Sequence, residues 1–150
     1  MTRLMITASA ALFVALPLAP QAGADAGQVV LIDDGAVRCL VSANDLERGG
    51  GPIATCQRSD GQPWGQSPWE TSKFNNLLNV PVVRGTGELY WEKGTVPSPQ
   101  DPTAGSVVIG PGETYRTNGW TVQDEGLKTR FTYDATNHGI TVDAQEVRQF

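Results

Sequence analysis

The stretch "QVVLIDDGAVRCLVSA", residues 28–43, predicts two β-strands joined by a tight turn. Both of its apolar ends are rich in β-branched residues, which favour strands. In the second end, Val37, Cys39 and Val41 alternate with other residues, and a period of two is the pattern of a strand with one buried face. The intervening Asp33–Gly35 is typical of a hairpin turn. We therefore expect a β-hairpin where the folded part of the chain begins.

The segment "PIATCQR" predicts a third strand, which would bring Cys56 back beside Cys39. The connection before it carries Asn44 and Glu47 three places apart, a spacing that resembles a helix capping box, and Gly49 ends it. We expect one helical turn at most between the second and the third strand.

Short apolar segments bounded by Gly, Pro, Asn or Asp recur through the rest of the chain. They predict further strands at residues 87–94, 106–110, 113–117, 119–124, 127–134 and 139–143. Residues 74–83 are apolar but run into a proline, so their state is ambiguous, and the proline-rich residues 95–105 are predicted to be a surface loop. Residues 143–150 fit either a terminal helical turn capped by Asp143 or an edge strand. This spacing predicts an all-β fold, a small antiparallel β-sandwich or barrel.

The first 26 residues have the layout of a secretory signal peptide. Arg3 precedes an apolar run that ends in prolines, and Ala-Asp-Ala at residues 24–26 fits the cleavage pattern. A transmembrane anchor would need about 20 unbroken apolar residues, and no cysteine follows the run to carry a lipid anchor. We expect a secreted protein that begins at Asp25 or Gly27, with a single β-rich domain at residues 27–150 and no stable membrane anchor.

Cysteine usage agrees with export. Cys39 and Cys56 are the only two cysteines, and in an oxidising compartment such a pair forms a disulfide more often than two free thiols. Together with the single histidine they give three Cys or His ligands far apart in sequence, which is too few for a structural zinc site. We therefore predict a disulfide, no metal and no cofactor.

The formal net charge is −5, and the two signs are mixed along the chain with no basic run. Binding to nucleic acid or to an anionic membrane surface needs clustered Lys and Arg. We therefore predict neither partner. The expected protein is a monomer, and its expected ligand is another protein or a glycan.

The end of the chain resembles a family of small exported proteins of actinobacteria, mycobacteria especially. Those proteins often close on a Gly-His-Gly-Phe step followed by a short strand and a final aromatic residue. Here the step is Asn137, His138, Gly139 and Ile140, and the chain ends at Phe150. The "VRCLVS" segment also resembles the cysteine-bearing strand near the start of such proteins, whereas their second cysteine pair is missing here. The resemblance implies export and a small β-rich fold, and it implies no activity.

His138 has two interpretations. As a general base it would be held by a carboxylate such as Asp134 or Asp143. As a structural residue it would lie in a turn between two strands, because Asn137 and Gly139 both tolerate positive φ. The common hydrolytic triads also need a nucleophile, and the chain has no Gly-x-Ser-x-Gly elbow. We expect the turn, with the positive φ at the glycine.

Four tryptophans form the second set of candidates. Trp91 and Trp120 lie in strand patterns and are expected in the core. Trp64 and Trp69 lie in a loop rich in proline and glycine, where an exposed indole could stack on a sugar ring or on apolar groups of a partner. The candidate ligand-binding residues are therefore Trp64, Trp69 and His138.

These features favour a non-enzymatic binding or interaction module that acts at the cell envelope or outside the cell. The alternative is a small secreted hydrolase that uses His138 as its general base, and a purely structural envelope protein is a third possibility. The surroundings of His138 and the exposure of the loop tryptophans discriminate between the first two.

Overall fold

The computed structural model describes residues 27–71, 76–100 and 105–150, so the predicted signal peptide lies outside the described part of the chain. The strands are β1 Gln28–Ile32, β2 Val37–Ser42, β3 Ile53–Arg58, β4 Val80–Arg84, β5 Leu89–Glu92, β6 Ser106–Val108, β7 Thr114–Thr117, β8 Trp120–Asp124, β9 Thr129–Tyr133, β10 His138–Val142 and β11 Val147–Gln149. Two 3₁₀ turns, Asp33–Gly35 and Leu46–Arg48, complete the regular structure of these residues. The all-β prediction is confirmed. No helix in the described ranges is long and apolar enough to cross a membrane.

The strands form two packed sheets. The first has the order β5-β4-β3-β2-β1-β6 and the second the order β11-β10-β9-β8-β7. Neighbouring strands are antiparallel except for β6, which pairs with β1 in parallel. A parallel pairing needs a crossover of about a dozen residues or more. β5 and β6 lie at opposite edges of the first sheet. The long connection between them is the crossover that brings β6 beside β1.

The predicted hairpin between β1 and β2 is present. Ile32 pairs with Val37, and Ala36 N donates to Asp33 O at 2.9 Å to close the connection. Asp34 and Gly35 both have positive φ, at 53° and 82°. Short polar residues and glycine are the ones that tolerate this region, which explains why "DDG" suits this turn.

The turn after β2 differs by one residue from the prediction. Asp45, not Asn44, is the N-cap, and its Oδ1 accepts from Arg48 N at 3.2 Å. The Asn44 side chain instead accepts from Gly51 N at 2.8 Å. Gly49 ends the turn with φ 90°, as expected from its lack of a Cβ.

Arg48 joins this turn to β5. Its guanidinium lies 2.8 Å from an oxygen of Asp45 and 2.5 Å from an oxygen of Glu92. Burial alone would lower the pKa of Arg48, but the hydrogen bonds to Glu92 and Asp45 outweigh it and raise the pKa further above its ordinary range. The loop is therefore held to the edge of the first sheet by a permanently charged group.

The main core lies between the sheets and comes from their facing sides. Its fully buried side chains include Val30, Ile32, Val37, Val41, Trp64, Trp120, Val122, Phe131, Ile140 and Val142. A smaller cluster covers the opposite side of the first sheet and consists of Ile53, Val80, Val82 and Val96. Val96 belongs to the loop after β5, and its N–H donates to Gln57 Oε1 at 2.8 Å. Because this loop covers one side and the second sheet covers the other, β3 is buried on both faces.

A strand forms in part of each of two segments whose sequences are ambiguous, and residues 74 and 75 of the first lie outside the described residues. Residues 80–84 form β4, and its pairing with β3 begins at Val82, one residue after Pro81, which has no N–H to donate. The last residues form the edge strand β11 rather than a helical turn. Asp143 still caps the turn before it, since its Oδ1 accepts from Gln145 N at 2.7 Å and from Glu146 N at 2.8 Å.

Candidate functional site

The two cysteines form the predicted disulfide. Cys39 on β2 and Cys56 on β3 are direct cross-strand partners with their Cα atoms 4.0 Å apart. Both residues are fully buried and face the main core. The bond is therefore a structural element of the sandwich and offers no chemistry at the surface.

His138 is the exposed first residue of β10, opposite Tyr133. Its ring makes one hydrogen bond within the described ranges, between Nδ1 and the main-chain oxygen of Phe150 at 3.2 Å. Asp134 Oδ1 accepts instead from Thr121 Oγ1 at 2.6 Å, and Asp143 caps the turn before β11. Neither carboxylate that could have held an imidazole base is bonded to the ring.

The backbone at this hairpin corrects the prediction about Gly139. The positive φ falls on Asn137, at 59°, and not on Gly139, which lies inside β10. A Cβ added at Gly139 would lie 1.8 Å from the carbonyl oxygen of Phe131 on the neighbouring strand. Glycine is thus required by close approach of two backbones and not by the shape of the turn.

The burial of the four tryptophans differs in part from the expectation. Trp120 is buried as predicted, and Trp91 is half-buried against the core. Trp64 is also fully buried: it meets Trp91 edge-on at 6.0 Å, and its Nε1 donates to Asp143 O at 2.9 Å. The exposed indole considered for Trp64 is therefore not present, because the side chain is fully buried in the main core. Trp69 remains, with 64% of its surface exposed.

Trp69 is presented by a small excursion outside the sheets. It forms a single antiparallel bridge with Leu77. Glu70 N donates to Asn76 O at 2.7 Å, and Leu78 N donates to Pro68 O at 2.9 Å. Two short extended segments thus lie side by side and hold the indole away from the core.

The indole forms one wall of a cleft with a volume of about 350 Å³. The lining residues are Gly61, Pro63, Trp69, Asn76, Leu77, Asn79 and Lys93. The Asn79 side chain is held in place, because its Nδ2 donates to Gly94 O at 3.0 Å and its Oδ1 accepts from Gly94 N at 3.1 Å. The cleft therefore combines an aromatic face, apolar side chains, amide groups and one ammonium group.

The turn at the rim of the cleft carries a fixed carboxylate. Asp60 accepts from Gln62 N at 3.0 Å and from Arg58 Nη2 at 2.7 Å. The bond from Gln62 N and then that from Arg58 lower the pKa of Asp60, so the group is ionised and paired at neutral pH. Its charge is balanced by Arg58 at the rim.

Sequence reasoning found Trp69 but missed Asn76, Asn79 and Lys93. These residues carry no motif, and they line the same cleft as Trp69 only because Leu77 pairs with Trp69 and β4 pairs with β5. No group of three or more His, Cys, Asp or Glu in the described part of the chain is placed to hold a metal ion.

Fold and site together define a class: a two-sheet, all-β protein with one buried disulfide and a surface cleft beside a single exposed indole. A scan of protein-family models found no match to the chain. Searches of curated proteins and of solved structures found no match either. The resemblance to small exported actinobacterial proteins stays a prediction.

Proposed function

We propose that the protein is an exported, non-enzymatic binding module that takes a sugar ring of a glycan in the Trp69 cleft. The observation that carries the proposal is the 64% exposure of Trp69 at the wall of a cleft of about 350 Å³. Ligand sites are concave, and their few polar groups orient the ligand. An indole face gives a broad apolar platform for the C–H groups of a pyranose, and the amide of Asn76 beside it suits a hydroxyl.

Export is supported by two independent features. The first 26 residues have the layout of a signal peptide. The buried Cys39–Cys56 disulfide fits an oxidising compartment. N-terminal sequencing of protein recovered from culture medium or envelope should find Asp25 or Gly27 first, and an intact Met1 on membrane-bound protein would contradict export.

The hydrolase alternative has weaker support. A general base needs an orienting partner and a nucleophile within hydrogen-bond reach. The ring of His138 is bonded to a main-chain oxygen, and its two neighbouring candidate carboxylates have other partners.

The test is a glycan array probed with the purified protein and with Trp69→Ala. Leu127→Ala is the matched control, because Leu127 is a large apolar side chain with 92% exposure, in the turn between β8 and β9. We expect the parent and Leu127→Ala to bind the same glycans and Trp69→Ala to lose them. Retained binding by Trp69→Ala would place the site elsewhere. No binding to any glycan by the parent would overturn the proposal.

A further inference from the structure

The charge of the Trp69 cleft narrows the class of glycan. Lys93 directly follows β5 and is the only charged side chain among the described residues that line the cleft. Its side chain is exposed. Among the described lining residues, a ligand on the indole therefore meets one positive charge and no negative one.

The carboxylate next to Lys93 in the chain and the carboxylate at the rim of the cleft are each paired with an arginine. Glu92, its neighbour, lies 2.5 Å from Arg48, and Asp60 lies 2.7 Å from Arg58. None of the ion pairs among the described residues includes Lys93. Within the described part of the chain, its ammonium is thus available to a ligand without breaking an ion pair.

The backbone that carries Lys93 is held in place. Asn79 bonds both the N–H and the C=O of Gly94, the next residue, and Asn79 N donates to Glu92 O at 3.2 Å. The lysine stem therefore starts from a fixed point, and only its flexible side chain adapts. A lysine acts as a compact point charge with rotatable donors, which suits a single carboxylate.

We infer that the ligand of the cleft is an acidic glycan, in which a uronic acid ring lies on Trp69 and its carboxylate pairs with Lys93. The inference rests on the proposed glycan-binding function. The protein as a whole carries a net charge of −5, so its overall field does not attract a polyanion. Selection for an acidic sugar must then come from this local pair.

The experiment is calorimetric titration with trisaccharides of galacturonic, glucuronic and mannuronic acid, each beside its carboxyl-reduced, neutral counterpart. The parent should bind at least one acidic trisaccharide about 3- to 10-fold more tightly than its neutral counterpart, as an exposed or partly desolvated ion pair allows. The difference should shrink as salt is raised, because surface pairs are screened.

Lys93→Met keeps the apolar stem and removes the charge, and it should bring the acidic trisaccharide to the affinity of the neutral one. Lys128→Met is the control, because Lys128 is exposed outside the cleft and its replacement changes the net charge equally. Lys93→Arg should retain most of the preference.

The outcomes separate the two proposals. Equal affinity of the parent for each acidic and neutral pair would overturn the inference and leave glycan binding standing. An equal loss in Lys128→Met and Lys93→Met would assign the effect to overall charge and overturn the inference as well. Binding to none of the six trisaccharides would overturn the inference, and the glycan array then decides whether the proposed function stands.

Discussion

Gln66 and Val147 form a two-point pair in which a side-chain amide takes the place of a neighbouring strand. Val147 N donates to Gln66 Oε1 at 2.9 Å, and Gln66 Nε2 donates to Val147 O at 2.5 Å. In the ladder between β10 and β11, the backbones of Gly139 and Phe150 donate hydrogen bonds to each other. Because hydrogen-bonded and non-hydrogen-bonded pairs alternate along an antiparallel ladder, the N–H and C=O of Val147 point away from β10. These groups would otherwise be open at the edge of the second sheet, where an unpaired strand invites association.

The first prediction tests this edge pair. Gln66→Ala should destabilise the protein by about 1–2 kcal/mol, because it leaves a donor and an acceptor of Val147 without partners. Gln66→Glu should cost at least as much, since a carboxylate keeps the acceptor but faces the carbonyl oxygen with no donor. Urea unfolding measures both. Gln145→Ala, at an exposed glutamine in the turn before β11, is the control and should change stability by less than about 0.5 kcal/mol.

The fold was predictable where its signals are local. Alternation in β2 and β3 placed Cys39 and Cys56 on one face, and a short connection between the strands made the disulfide foreseeable. The burial of Trp64 was not foreseeable, because its segment has no periodicity and its partner Asp143 lies 79 positions away. The parallel pairing of β6 with β1 was not foreseeable either, because it depends on where the long loop after β5 brings the chain back to the sheet.

The second prediction separates the two loop tryptophans. Trp64→Ala should destabilise by about 3–5 kcal/mol, because it empties a fully buried site and leaves Asp143 O without its donor. Trp69→Ala should change stability by less than about 0.5 kcal/mol, as exposed substitutions usually do. Thermal or urea unfolding of both variants checks the contrast. Comparable losses in the two variants would show that Trp69 is part of the core and would remove it from the candidate site.

The third prediction concerns the disulfide. Labelling of the native protein under denaturing, non-reducing conditions should find no free thiol, because Cys39 and Cys56 are bonded. Replacing both by serine should cost about 2–4 kcal/mol in the free energy of unfolding. Reduction by dithiothreitol should be slow without denaturant, since both residues are fully buried. Two labelled thiols per chain would contradict the bond, and rapid reduction of the folded protein would contradict its burial.

The fourth prediction is a pH dependence at Tyr90, on the outer face of the first sheet. Burial raises the pKa of Tyr90 above its ordinary value of 10.0, and the positive charge of Arg84, whose guanidinium carbon lies 5.5 Å from the ring centroid, opposes this only in part. Because the folded-state pKa is above the unfolded one, this contribution to stability is complete below about pH 10 and is lost as pH rises through the folded pKa.

Spectrophotometric titration of the phenols checks this. The parent should contain one tyrosine that ionises later than an exposed phenol, and Tyr90→Phe should remove that late component. Unfolding measured between pH 9 and pH 11 should show a smaller loss of stability in Tyr90→Phe than in the parent. Identical losses in the two proteins would mean that the ionisation of Tyr90 is not linked to folding.

The fifth prediction compares neighbouring residues of the β9–β10 hairpin, Gly139 and His138. Gly139→Ala should destabilise by about 2–4 kcal/mol, because its Cβ would lie 1.8 Å from the carbonyl oxygen of Phe131 and backbone cannot yield as a flexible side chain can. Gly65→Ala is the matched control, since nothing lies within 4 Å of its added Cβ, and it should be neutral or slightly stabilising. His138→Gln should cost less than about 1 kcal/mol, because the residue is exposed and its ring makes one hydrogen bond to the described residues, to Phe150 O. Thermal melts of the three variants beside the parent measure the order. If His138→Gln proves more damaging than Gly139→Ala, the imidazole has a role that its hydrogen bond to Phe150 O does not explain, and His138 returns as a candidate functional residue.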